Sequence, residues 1–61
     1  MTNFNLNQIV KGAVCGTFVI LGERTIDGEF GYQLKTVNPA DHSQTYAGEM
    51  WLPANKLKPL N

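Results

Sequence analysis

Asp41, His42 and Ser43 bring the three residue types of a hydrolytic triad together in one stretch of the chain. In such a triad the serine attacks the substrate, the histidine takes up its proton and the aspartate orients the histidine. The three side chains must converge in space, whereas consecutive residues of an extended segment point in different directions. We therefore do not expect a hydrolase.

The other ionisable residues predict no catalytic or metal site. His42 is the only histidine and Cys15 the only cysteine, so one chain cannot supply the usual ligands of zinc. The five carboxylates show no spacing that would force two of them together as an acid–base pair. Cys15 has no adjacent Lys, Arg or His to activate it and lies beside an apolar run, so we expect a buried structural thiol. The sequence thus predicts no catalytic residue, no metal and no cofactor.

Aromatic and basic residues give a better case for binding. If Met50 and Leu52 face the core, strand alternation turns Trp51 to the other face, where its large ring can contact a partner. The alternative is that Trp51 packs in the core or under the 38–48 segment, with Met50 exposed. Aromatics interleaved with lysines suit single-stranded nucleic acid, and they also suit a peptide or a protein. The candidate binding residues are Trp51, Pro53, Tyr32, Lys56, Lys35 and Tyr46.

The first half of the chain predicts short strands. Residues 17–21 are rich in β-branched and aromatic residues and predict the clearest strand, which residues 23–26 continue after a bend at Gly22. Asp27-Gly28 predicts a hairpin, because a type I′ turn requires the positive φ that these residues tolerate. Residues 32–37 then form the returning strand.

The second half predicts a connector, a strand and a short closing element. Residues 38–48 are polar and begin with Asn-Pro, which favours a turn and a long loop. A strand over residues 49–52 stops at Pro53, which cannot donate to a β-ladder. Residues 54–56 suit a single 3₁₀ turn, and residues 57–60 predict a brief last strand.

Length and composition allow one small domain. Of the 61 residues, 43% are hydrophobic and 16% are charged, which argues against disorder. We expect a flexible arm over residues 1–7 and one domain over residues 8–61, entered by a strand or extended segment through residues 8–10. A short helical turn within residues 5–11 is the alternative. The single cysteine, the lack of a cationic leader and a longest apolar run over residues 18–21 predict a cytoplasmic protein with no membrane segment.

The segment Leu52-Pro53-Ala54-Asn55-Lys56-Leu57 resembles the Pro-Ser-Asn-Tyr segment before the last strand of SH3 domains. The resemblance covers this segment and the general order of strands, and it implies a small barrel in which Pro53 lines the ligand groove. Lys56 stands where the family has a groove tyrosine, and the family's Ala-Leu-Tyr-Asp-Tyr segment is missing. Only the barrel geometry therefore carries over, not the recognition of Pro-rich peptides.

The chain also looks like the type II plasmid dihydrofolate reductases in its size and in its C-terminal residues. Those enzymes are SH3-like barrels that form one active site at the centre of a tetramer. Their active site is built from a Val-Gln-Ile-Tyr segment, and the nearby Glu49-Met50-Trp51-Leu52 of this chain does not match it. An oligomeric barrel enzyme is therefore the remotest of the functions considered.

Together these features predict an all-β fold, a small antiparallel SH3-like barrel of about five strands with a 3₁₀ turn before the last strand. We expect a small non-enzymatic binding module that contacts a protein partner or a second copy of itself. Five basic and five acidic residues cancel, so the chain lacks the overall positive field that draws proteins to nucleic acid. Binding of single-stranded or duplex nucleic acid through a local patch is the alternative.

Overall fold

The computed structural model describes residues 3–60, which form five strands and one helical turn. The elements are β1 (Ile9–Gly12), β2 (Thr17–Ile26), β3 (Glu29–Asn38), β4 (Asp41–Pro53), a 3₁₀ turn (Ala54–Lys56) and β5 (Leu57–Pro59). Neighbouring strands are antiparallel and form one sheet in the order β4-β3-β2-β1-β5. The predicted all-β fold of five antiparallel strands, with a 3₁₀ turn before the last, is confirmed. Within residues 3–60, no helix is long and apolar enough to cross a membrane.

The sheet is not closed, and β4 and β5 are its two edges. Three of the four strand pairings join neighbours in the chain, and the fourth joins β1 to β5. The turn between β2 and β3 is Asp27-Gly28, with φ values of 52° and 81°, as the type I′ signal predicts. The fold therefore consists of consecutive hairpins whose last strand returns to the first.

The polar segment 38–48 is mostly strand, which corrects the expectation of a long loop. β4 begins at Asp41, and the connection before it is only Pro39-Ala40. The Asn38 side chain accepts a hydrogen bond from the Ala40 backbone N–H at 2.8 Å and so stabilises this turn. Residues 41–50 are exposed throughout. This part of β4 therefore has no alternation of apolar and polar residues, which is the pattern that identifies a strand in a sequence.

The core lies on one face of the sheet. Its cross-strand pairs include Val10 with Phe18 and Ile20 with Leu34, because residues opposite each other on adjacent strands point to the same side. Burial of each such side chain stabilises the fold by roughly 1.5–3 kcal/mol. The buried cluster consists of Phe4, Val10, Phe18, Ile20, Tyr32, Leu34 and Leu57.

Tyr32 joins the N-terminal segment to this core. Its side chain is fully buried, and the rings of Phe4 and Phe30 pack against it in T-shaped arrangements with centroids 5.4 and 5.2 Å away. Its hydroxyl oxygen accepts a hydrogen bond of 3.0 Å from the backbone N–H of Phe4. Tyr32 therefore packs in the core through its ring and satisfies a buried backbone donor through its hydroxyl.

Residues 1–7, the predicted arm, are described only from Asn3 onward, and Met1 and Thr2 lie outside the described residues. Phe4 is buried, and the backbone N–H of Asn7 donates to the carbonyl of Ile20 at 2.8 Å. The described part of this segment is thus packed and hydrogen-bonded to the sheet.

Replacement of Tyr32 by Phe should destabilise the fold. The substitution keeps the ring and removes the acceptor of the buried Phe4 N–H, and such a loss costs about 1–3 kcal/mol. Urea unfolding should show this decrease in the free energy of unfolding. Tyr46→Phe is the matched control, because that ring is 45% exposed, and its effect should stay below about 0.5 kcal/mol. Equal stability of the Tyr32→Phe variant and the unmodified chain would contradict this role of the hydroxyl.

Candidate functional site

An apolar groove lies between the end of β4 and the loop that joins β1 to β2. Its volume is about 390 Å³. Of the residues that line it, only Lys56 carries a charge. The lining residues are Gly12, Ala13, Val14, Cys15, Phe18, Met50, Leu52, Pro53 and Lys56.

β4 supplies one wall of the groove through the alternation of its side chains. Met50 pairs across the sheet with Leu34, and Leu52 pairs with Tyr32. Both β4 side chains therefore lie on the core face of the sheet. Met50 is nevertheless 38% exposed, because β4 is an edge and no further strand of the described chain covers it.

The β1–β2 loop supplies the opposite wall. The Gly12 N–H donates to the Gly16 carbonyl at 3.0 Å, and the Ala13 N–H donates to the Lys56 carbonyl at 2.8 Å. A Cβ atom at Gly12 would collide with the Cys15 carbonyl, and Gly16 has a φ of 96°. Both glycines are thus required by the loop, which is tied to itself and to the 3₁₀ turn.

The tip of this loop is strongly exposed. Val14 is 92% exposed, although it is a purely apolar residue. Cys15 is exposed as well, which corrects the expectation of a buried thiol. The reason is that the glycines on either side turn residues 13–15 out of the sheet as a short loop, too short to fold back on itself.

Trp51 lies on the opposite face of the sheet from the groove, as alternation with Met50 and Leu52 predicts. Its ring crosses β3 above Gly31, where an added Cβ would come within 2.6 Å of the indole carbons. Its Nε1–H donates to the Arg24 carbonyl of β2 at 2.8 Å. The ring is half-buried, and its one polar group is already used within the sheet.

Two of the other predicted binding residues, Pro53 and Lys56, line the groove. Tyr32 does not contribute to any surface, because its side chain is fully buried. This finding corrects the expectation that Tyr32 is one of the binding residues. The hydrogen bond from the Phe4 N–H explains why a residue with a polar group is tolerated there.

The last two predicted binding residues lie outside the groove. Lys35 is half-buried on β3, opposite Glu49 of β4. Tyr46 is exposed on β4, before the strand reaches the groove. Sequence reasoning did not include Val14 and Met50 among the binding residues, although both are exposed large hydrophobic side chains of the lining. The available signal was an apolar tripeptide between two glycines, at residues 13–15.

The Asp41-His42-Ser43 segment begins β4 and makes local hydrogen bonds rather than a triad. The Ser43 Oγ–H donates directly to Asp41 Oδ1 at 2.6 Å, and the Ser43 backbone N–H donates to the same oxygen at 3.1 Å. These two hydrogen bonds lower the pKa of the Asp41 carboxyl from its ordinary value, and the hydrogen bond from the Ser43 side chain has the larger effect. Among residues 3–60, no group of three His, Cys, Asp or Glu side chains is placed to hold a metal ion.

Comparison of the chain with protein-family models, with curated proteins and with solved structures found no match. The resemblance to SH3 domains and to type II plasmid dihydrofolate reductases therefore stays a prediction from the sequence. The function of the groove has to be argued from its own residues.

Gly31→Ala should strongly lower the free energy of unfolding. The added Cβ would meet both the Trp51 ring and the Leu52 carbonyl, and such overpacking costs about 1–3 kcal/mol or more. Gly22→Ala is the matched control, because nothing lies within 4 Å of a Cβ there. Alanine is favoured over glycine in strands by about 0.5–1 kcal/mol, so this control should be neutral or slightly stabilising. Urea unfolding followed by Trp51 fluorescence measures both variants, and equal effects would contradict the packing of Trp51 on Gly31.

Proposed function

We propose that this chain is a small non-enzymatic protein-binding module whose groove receives an apolar side chain of a partner. The observation that carries the proposal is the groove itself, with the exposed side chains of Val14 and Met50 at its rims. Exposed apolar side chains are normal when scattered, but a group of them around a concavity is typical of an interaction site.

The chemistry of the lining favours a protein anchor over a small metabolite. Sites for small molecules combine apolar walls with several placed polar groups that fix the orientation of the ligand. In this groove the polar side chains are only the Lys56 ammonium group and the Cys15 thiol. A lining of this kind recognises apolar shape and contact area, which a partner's aliphatic or aromatic side chain supplies.

The position of the groove beside an edge strand also supports the proposal. The outer N–H and C=O groups of β4 have no neighbouring strand in the described chain. A partner segment in extended conformation can pair with such an edge while it places alternate side chains in an adjacent pocket. Residues 50–53 of β4 supply both the edge and the wall of the groove.

Nucleic-acid binding is the second candidate, and the distribution of lysines favours it. Lys11 of β1 lies opposite Lys58 of β5, and Lys56 precedes β5 by one residue. A local cluster of cations can bind phosphates even when the net charge is zero. Two of the aromatic residues expected to stack on bases are unsuited, because the Trp51 ring already packs against Gly31 and the Tyr32 ring is buried. The protein-binding role is therefore the better supported.

A random peptide library displayed on phage tests the protein-binding role. Selection on the immobilised chain should yield peptides with a shared apolar anchor, and amide spectra should place their contacts at the groove. Val14→Asp should weaken these peptides by about tenfold or more, a loss of about 1.4 kcal/mol. Leu6→Asp is the matched control, since Leu6 is 66% exposed and does not line the groove. A library that yields no binder, or binders indifferent to Val14→Asp, would contradict the proposal.

The nucleic-acid alternative is tested by adding short single- and double-stranded oligonucleotides to the labelled chain at low salt. We expect the amide signals to stay unmoved. Shifts centred on Lys11, Lys56 and Lys58 that disappear on addition of salt would reverse the order of the two functions.

A further inference from the structure

The charge at the groove has one sign. Lys56 is the only charged residue of the lining, and it is exposed. The two walls, residues 12–18 and 50–56, contain no Asp or Glu. Glu49 precedes the β4 wall, but it alternates with the residues that line the groove and so lies on the other face of the sheet, opposite Lys35. Among residues 3–60, the lining of the groove thus supplies a positive charge and no negative one.

The backbone that carries this charge is fixed between the two walls. The Lys56 carbonyl accepts the hydrogen bond of 2.8 Å from the Ala13 N–H of the β1–β2 loop. Lys56 also ends the 3₁₀ turn that directly follows β4. The ammonium group therefore extends from the point where the chain connects the β4 wall to the loop wall. A partner that fills the groove has to pass or face this cation.

The groove has room for more than one side chain. Its volume is about 390 Å³, whereas an apolar cavity of about 150 Å³ is large enough to bind benzene. Two aliphatic side chains therefore fit between the walls. Met50 and Leu52, the two β4 side chains of the lining that face the core side, are two positions apart. Residues of a strand paired with them have the same spacing and point to the same face.

The edge of β4 beside the groove is regular and open. Its pairing with β3 runs without a shift from Glu49 opposite Lys35 to Pro53 opposite Gly31. Residues 41–52 contain no Lys and no Pro, which are residues that natural edge strands use to block further pairing. An extended segment can therefore add to this edge and direct every second side chain into the groove.

We infer, on the basis of the binding function proposed above, that the partner is an acidic protein segment in extended conformation. The segment pairs with residues 49–52 of β4 and inserts two apolar side chains, spaced i and i+2, into the groove. A carboxylate next to this apolar pair faces the Lys56 ammonium group. The groove thus recognises a short acidic and apolar motif rather than apolar surface in general.

The two parts of the motif contribute differently. The apolar pair supplies most of the affinity, because it removes apolar surface from water. The carboxylate supplies specificity, since an ion pair at an exposed rim is weak and is screened by salt. Removal of the Lys56 charge should therefore weaken binding by only about two- to fivefold, and reversal of the charge should weaken it by about three- to tenfold, because repulsion replaces attraction.

Parallel selections from one random peptide library on phage test the inference. Peptides selected on the unmodified chain should carry two apolar residues at i and i+2 and be enriched in Asp and Glu. Peptides selected on the Lys56→Glu variant should keep the apolar pair and be enriched in Lys and Arg. Lys58→Glu is the matched control, because Lys58 alternates with the buried Leu57 and so lies on the face of the sheet away from the groove. Its peptides should stay acidic.

Calorimetric titration of the selected acidic peptides measures the size of the effect. Their dissociation constants should rise by about three- to tenfold on Lys56→Glu and change by less than about twofold on Lys58→Glu. Exchange of the acidic residue of a peptide for Lys should recover most of the loss on Lys56→Glu. Both variants change exposed side chains, so neither should disturb the core.

The outcomes separate this inference from the binding function. Groove-binding peptides without an acidic preference, or without the i and i+2 spacing, would overturn the inference and leave the binding function in place. An equal response to Lys56→Glu and Lys58→Glu would show a general effect of charge and would overturn it as well. A library that yields no binder would overturn both. Reversal of the charge preference by Lys56→Glu alone, with the apolar pair retained, is the supporting result.

Discussion

The indole of Trp51 holds β4 in register on the sheet. It crosses β3 above Gly31 and donates to the Arg24 carbonyl of β2, so that one side chain connects three strands. Because side chains alternate along a strand, this position directs Met50 and Leu52 to the core face. A slip of one residue would exchange the two sets of side chains between the faces. The β4 wall of the groove therefore depends on a contact made on the other side of the sheet.

The exposed apolar residues follow from the small size of the domain. A chain of about 60 residues buries only about 60% of the surface of its unfolded state, and among residues 3–60 the core cluster consists of seven buried side chains. Some apolar side chains next to this cluster stay exposed. Phe30 lies at one end of the cluster, and Met50 lies in the groove at the other end. Within residues 3–60 no further element covers them. A partner surface would remove them from water, as the proposed function requires.

The parts of the fold set by local chemistry were predictable from the sequence. The β2 strand, the Asp-Gly turn and the 3₁₀ turn after Pro53 all rest on propensities of adjacent residues. The strand over residues 41–48 was not predictable, because it is held by backbone pairing and exposes both faces. The burial of Tyr32 depends on Phe4, which lies 28 residues away. The groove combines residues 12–18 with residues 50–56, and long-range contacts such as the β1–β5 pairing and the Ala13–Lys56 hydrogen bond bring these segments together, so no spacing in the sequence could reveal it.

The pairing of β1 with β5 also decides how the domain responds to force. Val10 lies opposite Pro59, and Gly12 lies opposite Leu57, so the chain enters and leaves the sheet at the same end of one antiparallel pair. The hydrogen bonds between such strands run perpendicular to them. Tension between the two ends of the domain would therefore load these hydrogen bonds one after another, in an unzipping geometry. β5 has only three residues and would separate first. The domain is therefore mechanically weak when it is pulled from both ends, whereas attachment at a single end places no tension on the sheet.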